Sequence, residues 1–461
     1  MGMDQEAEES EKRFAAYVEQ LASAIGHAER KRPLKDYCTG LVMPLERKSV
    51  EPLAALTEPG HASAQHQSLL HFVGESSWSD EDVLAKVCGL VLPSMERQEA
   101  IAAWIIDDTA IPKKGKHSVG VAHQYCGQLG KQANCQAAVS LSIANHQSSL
   151  PIAWRLYLPQ EWTKDRARCT KAGVPRNIRF KTKPQIALDQ IRAACRGGLP
   201  QAPALMDAGF GKDTGLRTSL TELGVSYVAG IVPQTKVWAQ GRRKPHSVEK
   251  LALSLPAEAW REVQWREGAG KRLSSRFARI RVRAAHRKAL PVEDPRAEEW
   301  LLVEWPKREK KPIKYMLSTL PEDTAFSCMV DIAKLRWRIE RDYEELKQEV
   351  GLGHFEGRGW RGFHHHATLC IATYGFLVSE RETIPPSASY SSARSQTASL
   401  SRGHRSEDAS FAASTPYAEF NRDTPLPPDL GACEKSTTMS MLSCSDRKIS
   451  PLQTRTKIMT Q

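Results

Sequence analysis

The stretch that decides the fold runs from Lys334 to Lys347 and reads KLRWRIERDYEELK. An α-helix turns by about 100° per residue, so it would place one set of apolar residues on a single stripe. These are Leu335, Ile339, Tyr343, Leu346 and Val350. Arg336, Glu340 and Lys347 fall within about 40° of one another along the edge of that stripe. The sequence therefore predicts a half-buried carboxylate between two cations, with an ordinary surface ion pair as the competing interpretation.

The overall composition is that of a basic, soluble, globular protein. The chain has 461 residues, 41% of them hydrophobic and 26% charged, enough for roughly two or three domains with their own cores. Its formal net charge of +12 favours a polyanionic partner, with nucleic acid first. The ten cysteines form no C-x-x-C pattern and predict reduced thiols. Neither a signal peptide nor an apolar run of the ~18 residues that span a membrane is evident, which predicts a cytoplasmic protein.

The N-terminal part of the chain is predicted to be helical. Helical spacing of apolar residues begins at Phe14 and continues to Ile25, and Ser79 precedes an acidic first turn in the manner of an N-cap. We therefore expect a helical domain over residues 1–95. Small helical domains often bind DNA, and this one is a candidate for that role.

Beyond residue 95 the pattern changes to short apolar runs that alternate with helices. Strands are predicted over residues 102–106, 135–143, 151–158, 202–206 and 226–231, with helices over 184–194 and 214–223. Three strands, a helix, a strand, a helix and a strand form the order of a ribonuclease-H-like core. We therefore predict an α/β fold, with a ribonuclease-H-like mixed sheet flanked by helices over residues 96–231 and, after an interruption, 326–385.

Two predicted strands end on aspartates. In such a sheet the first and fourth strands are parallel neighbours joined by a right-handed crossover. Asp108 and Asp207 would then lie side by side at corresponding strand ends. Because two carboxylates held together repel each other unless a cation lies between them, the pair predicts a divalent metal site.

Residues 232–325 interrupt the core and are predicted to form a largely β insertion. Residues 276–283 alternate basic and apolar side chains, which predicts a strand with one basic face. That face is interpreted either as a DNA contact or as part of a solvated edge strand.

The C-terminal part contains an apolar helix and a tail. His364, His365 and His366 open the helix, and three adjacent histidines cannot all face one metal, so they are interpreted as DNA-facing or packing residues. Residues 386–461 are rich in Ser, Thr, Ala and Pro without apolar periodicity. We predict that this tail is disordered.

The acidic residues Asp108, Asp207 and Glu340 follow one another in the order Asp, Asp, Glu. Metal-dependent phosphoryl transfer needs hard oxygen ligands for two Mg²⁺ ions about 3.5–4 Å apart. No nucleophilic side chain is required for that chemistry, and no Ser/His/Asp or Cys/His grouping competes with this one. The predicted cofactors are therefore two Mg²⁺ ions, for which Mn²⁺ can substitute.

The chain resembles the DDE transposases of bacterial insertion sequences over roughly residues 70–380. Arg336, Glu340 and Lys347 match in type and spacing the signature Tyr-x(2)-Arg-x(3)-Glu-x(6)-Lys, although Ala333 stands where that signature has tyrosine. Residues 106–120 and 124–131 are similar to the segment around the first aspartate of one subgroup, and 205–211 to the segment around the second.

The resemblance implies that Asp108, Asp207 and Glu340 are the catalytic, metal-binding residues. Asp108 is preferred to Asp107 because it directly precedes Thr109, as the first aspartate of the family usually precedes a small or hydroxyl residue. Asp107, on the opposite face of the strand, would then be a neighbouring group.

Further expectations about partners follow from the same resemblance. Arg336 and Lys347 would bind a DNA phosphate. Double-stranded DNA, as element ends and as target, would be the partner of a homodimer at the bacterial nucleoid. A ribonuclease-H-like nuclease that never joins strands and an inactive DNA-binding remnant are the alternative interpretations.

Overall fold

A computed structural model describes residues 3–241, 244–265, 272–285 and 297–383, so the predicted tail lies outside the described residues. The N-terminal segment forms the helices α1 (Met3–Ala22), α2 (Lys31–Val42), α3 (Val50–Thr57), α4 (Ala62–Gly74) and α5 (Asp80–Gln98). The Ser79 hydroxyl accepts the Asp82 N–H over 3.0 Å, which confirms the predicted N-cap of α5.

The middle of the chain alternates strands and helices. Its first strands are β1 (Ala103–Pro112), β2 (Ala122–Cys126), β3 (Lys131–Ala144) and β4 (Ser149–Leu156). The helices α6 (Gln160–Lys164), α7 (Arg166–Lys171) and α8 (Lys183–Arg196) follow. Next come β5 (Ala204–Met206), α9 (Ala208–Gly211), α10 (Thr214–Glu222) and β6 (Tyr227–Ile231). The predicted strands correspond to β1, β3, β4, β5 and β6. β2 was not predicted from the sequence.

One mixed sheet contains these strands. Its hydrogen-bonded order runs β2-β3-β1-β5-β6, with β4 also paired to β3. The pairs β1–β5 and β5–β6 are parallel, whereas β1–β3 is antiparallel. The predicted parallel pairing of the first and fourth strands is confirmed, because Ile106 of β1 lies opposite Met206 of β5. The molecule is therefore a mixed α/β protein with helices packed on a large sheet.

The segment predicted as an insertion continues that sheet. It contributes β7 (Lys236–Ala239), β8 (His246–Ser247), α11 (Val248–Leu253), β9 (Arg261–Trp265), β10 (Leu273–Ala284), β11 (Glu299–Trp305) and β12 (Lys314–Ser318). β12 pairs antiparallel with β6 through the residue pairs Tyr315–Ile231 to Ser318–Val228. From there the order proceeds β12-β11-β10-β7-β8. The added strands are thus hydrogen-bonded directly to the core strands.

The basic strand β10 is internal. It pairs with β11 on one side and with β7 and β9 on the other, so the edge-strand interpretation is wrong. Arg279 and Arg281 lie over the ring of Trp300 at 4.5 and 4.7 Å. Arg281 also lies 3.7 Å from both Glu298 and Glu322. The basic face is therefore partly neutralised, and its contact with DNA stays a prediction.

The last helices are α12 (Phe326–Lys334), α13 (Trp337–Gln348) and α14 (Trp360–Thr383). The predicted helix thus begins three residues later than expected, after a turn at Leu335 and Arg336. The Leu335 N–H donates to two carbonyls of α12, and the Arg338 N–H donates back to the Leu335 carbonyl over 3.0 Å. The predicted apolar stripe, from Leu335 to Val350, is buried throughout.

α14 lies in the protein interior, against α2, α4, α5 and β4. His364, His365 and His366 are all buried, which settles their two interpretations in favour of packing. His365 stacks on Trp78 with ring centroids 3.5 Å apart, and its ring nitrogens lie 3.1 and 3.0 Å from the carbonyl oxygens of Val73 and Trp78. A neutral imidazole can donate to only one of them. No helix in the described ranges combines the length and hydrophobicity needed to cross a membrane.

The buried histidines predict a loss of stability in acid. Burial lowers the pKa of His365 and His366 to about 4, below the ~6.5 of an unfolded chain. The unfolded state therefore binds more protons between these values, and their stabilising contribution is lost as the pH falls from ~6.5 towards ~4. Removing His365 as a titrating group should make the unfolding free energy less dependent on pH.

We expect His365→Gln to reduce this dependence by up to about one proton, or ~1.4 kcal/mol per pH unit. Urea unfolding across that pH range measures it. Burial raises the pKa of Asp107 to about 7 and that of Asp342 to about 6, so these two groups change the unfolding free energy with pH in the opposite direction. Their contribution is the same in wild type and variant and cancels in the comparison. Exposed His27 provides the control, as His27→Gln. If the unfolding free energy depends on pH equally in wild type and in His365→Gln, the prediction is contradicted.

Candidate active site

The parallel pairing of β1 and β5 brings two carboxylates to the same place. The pairing of the two strands ends at Ile106 opposite Met206, so the next residues along the chain are Asp107 and Asp207. Paired residues of neighbouring strands direct their side chains to the same face of a sheet. Asp207 also caps α9, where its carboxylate accepts the Phe210 N–H over 3.1 Å. The strand and the short helix together fix its position.

Close backbone packing holds the Asp207 turn against β6. A Cβ atom added to Gly230 would lie 2.8 Å from both the Ala208 nitrogen and the Asp207 carbonyl carbon. One added to Gly211 would lie 2.1 Å from the Gly230 oxygen. Only residues without a side chain allow this approach. The two glycines therefore determine how closely the Asp207 turn can pack against β6.

Asp107 is largely buried and is paired with Arg336. Its side chain is 16% exposed, and its Oδ2 accepts the Arg336 Nη1–H over 2.9 Å. Burial raises the pKa of Asp107 to about 7, with Asp207 and Asp108 adding to the rise and Arg336 opposing it. The carboxylates of Asp107 and Asp207 are therefore close enough to affect each other's charge.

Arg336 also holds Glu340. Its Nη2–H donates to the Glu340 Oε1 over 2.6 Å, while the Glu340 side chain is 64% exposed. Burial opposes the charge of Arg336, but Asp107, Glu340 and Asp207 together raise its pKa above the ordinary value. One guanidinium thus lies among three carboxylates, in contact with two of them.

Asp108 points away from this cluster. Side chains alternate between the faces of a strand, so Asp108 lies on the face opposite Asp107. There the Lys183 ammonium, at the start of α8, donates to its Oδ2 over 2.7 Å. The structure therefore brings Asp207, Arg336 and Glu340 together with Asp107, where the sequence analysis preferred Asp108.

A buried polar network fixes α13 in place. The Tyr343 hydroxyl lies 2.7 Å from the Ser140 hydroxyl, opposite Asp107 on β3. Asp342 is buried and accepts hydrogen bonds from Ser149 at 2.6 Å and Tyr374 at 2.9 Å. Burial, opposed by these two bonds, raises its pKa to about 6. The helix is therefore attached to β3, β4 and α14 by specific bonds as well as by apolar contact.

Lysines fix the C-terminal end of α13. The Lys347 ammonium donates to the Ala110 carbonyl of β1 over 3.2 Å. Burial lowers the pKa of Lys347. Lys48, from the segment before α3, is buried and donates to the Glu349 carbonyl just beyond the helix. The carbonyl end of a helix carries partial negative charge, which a cation stabilises.

The donor chemistry of the cluster fits a hard divalent cation. Asp107, Asp207 and Glu340 supply carboxylate oxygens, the ligands that Mg²⁺ prefers. Within the described part of the chain, no three side chains of the ligating types lie close enough together to hold an ion. Arg336 separates Glu340 from Asp107 in this conformation. The residues therefore fit the cation in type, and Arg336 lies between two of them.

Several of these residues were not predicted from the sequence. Asp342 lies three positions after Ile339, on the buried side of the helical wheel, so its burial could have been read from the spacing. The contacts of Lys48 with Glu349, of Lys183 with Asp108 and of Gly230 with the Asp207 turn depend on the tertiary fold and leave no signal in a single sequence.

Comparisons with known proteins agree with one another. Residues 20–272 match the family described as DDE superfamily endonuclease, and residues 180–376 match the family described as Transposase DDE domain. A similar protein is the "Probable transposase for insertion sequence element IS701" of Microchaete diplosiphon. The two are 24% identical over 318 residues, which cover 68% of this chain and 74% of the relative.

Gly230→Ala tests the tight packing behind Asp207. The added methyl group meets backbone atoms at 2.8 Å, so β6 or the Asp207 turn must shift, at a cost of about 1–3 kcal/mol. We expect a lower melting temperature in differential scanning calorimetry.

Gly89→Ala is the control for the same chemical change. Gly89 is exposed inside α5, and an added Cβ atom has no neighbour within 4 Å. Alanine favours a helix interior by about 0.5–1 kcal/mol over glycine, so this variant should melt at the same or a higher temperature. An unchanged melting temperature in Gly230→Ala would show that β6 accommodates the methyl group.

Proposed function

The chain belongs to the DDE superfamily endonucleases, as an insertion-sequence DDE transposase, and we propose that it binds the ends of its own mobile element, cuts them and joins them to target DNA. The observation that carries this proposal is the group of Asp107, Asp207 and Glu340 around one guanidinium. The order β2-β3-β1-β5-β6, with β1, β5 and β6 parallel, supports a ribonuclease-H-like core. Carboxylates that lie side by side on its central strands are suited to phosphoryl transfer.

The proposed ligands of two Mg²⁺ ions, replaceable by Mn²⁺, are Asp107, Asp207 and Glu340. Such ions activate the attacking water or DNA 3′-hydroxyl and stabilise the leaving oxygen. Asp207 is held rigidly by its cap on α9. Glu340 lies in the exposed first turn of α13, from which its side chain can turn towards the aspartates. The sequence favoured Asp108 as the first ligand, but the hydrogen bond of Asp107 with Arg336 and its place beside Asp207 in the register of β1 and β5 favour Asp107.

Arg336 and Lys347 are the proposed phosphate-binding cations. A guanidinium can hold a phosphate through two parallel hydrogen bonds, whereas an ammonium acts as a point charge. Both side chains are only partly buried. The DNA partner is double-stranded, and because two element ends are cut together, we propose that a homodimer forms in the DNA complex. The expected place of action is the bacterial nucleoid in the cytoplasm.

Substitution of the acidic residues tests the proposed site. We expect Asp107→Asn, Asp207→Asn and Glu340→Gln each to slow cleavage of a labelled element end in Mg²⁺ by more than about 100-fold, because loss of an outer-shell partner alone costs 10–100-fold. Asp108→Asn should slow cleavage by less than about tenfold, below the range for an outer-shell partner, because Asp108 pairs with Lys183 on the opposite face of β1. Gel electrophoresis measures cleaved and joined products, and circular dichroism checks the fold.

The products distinguish the alternatives. Joined strands support a transposase, cleavage without joining supports a nuclease, and bound but uncut DNA supports an inactive remnant. Normal cleavage by Asp107→Asn together with loss in Asp108→Asn would return the first ligand to Asp108. Robust cleavage by Glu340→Gln would remove the proposed site.

The cations are tested by the salt dependence of DNA binding. We expect Lys347→Ala and Arg336→Ala to bind the element end more weakly, and each to lower the log–log salt slope by about 0.9, since each removes one phosphate contact. Arg336→Ala should also lose more cleavage. Fluorescence anisotropy over a salt series measures the slope.

Arg341→Ala is the matched control on the same helix, because Arg341 is exposed and pairs with Glu345 at 3.0 Å. Its slope should equal that of wild type. If Lys347→Ala lowered the melting temperature and left the slope unchanged, its bond to Ala110 would be its only role.

A further inference from the structure

Arg336 lies between two of the proposed metal ligands. It donates to Asp107 over 2.9 Å and to Glu340 over 2.6 Å, and its side chain is 27% exposed. Its charge also interacts with that of Asp207. The inference below rests on the proposed function, because it takes these carboxylates as the metal ligands.

A guanidinium and a divalent cation compete for these carboxylates, because Arg336 lies between Asp107 and Glu340 and binds one oxygen of each. Both are charge-assisted hydrogen bonds, which are among the stronger polar contacts in proteins. Metal binding would therefore disrupt the hydrogen bonds of Arg336 with Asp107 and Glu340. It would also place a divalent ion next to the partly buried guanidinium. Like charges brought together in a poorly solvated site repel strongly.

A DNA phosphate offers the displaced guanidinium a new partner. Arginine binds phosphate with the same two-pronged geometry that it uses for carboxylates. Arg336 lies in the turn between α12 and α13 and its side chain is partly exposed, so the guanidinium can rotate outwards while the buried Leu335 beside it stays in place. The same side chain can thus neutralise carboxylates before DNA binds and phosphate afterwards.

We propose that Arg336 is an internal counter-ion that keeps Asp107 and Glu340 paired in the DNA-free protein and passes to a DNA phosphate in the complex, so that metal and DNA bind cooperatively. Coupling of this kind is reciprocal: DNA raises the metal affinity by the same factor by which metal raises the DNA affinity. The DNA-free enzyme then binds metal weakly, which restricts hydrolytic activity to the complex.

The opposite face of β1 supplies a matched comparison. Lys183 and Asp108 form an ion pair of similar length, 2.7 Å, and similar partial burial. If Asp108 were the metal ligand, Lys183 would be the competing cation instead. Substituting each cation in turn therefore tests the proposal and the choice of ligand together.

The experiment measures binding of Mn²⁺ to the full chain from the electron paramagnetic resonance signal of the free ion. Without DNA, Arg336→Gln should bind Mn²⁺ at least about tenfold more tightly than wild type, since one lost charged hydrogen bond is worth about a factor of ten or more. Arg336→Lys keeps the positive charge but lacks the planar guanidinium that makes two hydrogen bonds, so its Mn²⁺ affinity should lie between those of wild type and Arg336→Gln. Lys183→Gln should match wild type.

A second arm of the experiment adds a duplex copied from the DNA that borders the gene. It should tighten Mn²⁺ binding to wild type by a similar factor, and should have little effect on Arg336→Gln. Asp207→Asn with the same duplex gives the background from ions bound to DNA. Melting curves confirm that each variant is folded.

Two different failures can be told apart. If Mn²⁺ binding depends on Asp207 but is equal in wild type and Arg336→Gln, or if Lys183→Gln gives the tightening instead, the counter-ion proposal is overturned and the metal site stands. If Asp207→Asn leaves Mn²⁺ binding unchanged in every background, the metal site itself is wrong, and the counter-ion proposal is overturned with it.

Discussion

Two carboxylates lie side by side on neighbouring parallel strands, Asp107 within β1 and Asp207 directly after β5, and much of this structure serves to neutralise their charge. The register of β1 and β5 determines where Asp107 and Asp207 lie. Arg336 supplies the opposite charge, and the turn between α12 and α13 supplies Arg336. The buried bonds of α13 to β3, β4 and α14 then hold that turn against the sheet. A site assembled from distant parts of the chain is thereby fixed to a single sheet.

The sequence was sufficient for elements whose signal is local. The apolar stripe from Leu335 to Val350 predicted which side of α13 is buried, and an acidic first turn after Ser79 predicted the start of α5. The parallel pairing of two strands followed from the order of elements and the handedness of crossovers. Each of these inferences depends on neighbours in sequence or on a general rule of topology.

The sequence was not sufficient where tertiary register decides. Asp107 and Asp108 are adjacent, and which one faces α13 depends on which face of β1 the helix covers, a fact set by contacts such as Tyr343 with Ser140. The turn at Leu335 and Arg336 interrupts a stretch that has good helical periodicity. It was not predicted, because the spacing of side chains does not specify where the backbone departs from an α-helix. The partners of His365 come from segments almost 300 residues away.

The continuity of the sheet across β6 and β12 limits how the protein can move. Residue pairs can be followed across it in one row, from Ile106 and Met206 through Ala229, Leu317 and Leu301 to Ile280. Separating any two strands of this row would break the backbone hydrogen bonds between them. The segment from β7 to β12 is thus a continuation of the core sheet rather than a hinged arm. The position of that segment relative to Asp107 and Asp207 is therefore set by backbone hydrogen bonds and not by a flexible linker.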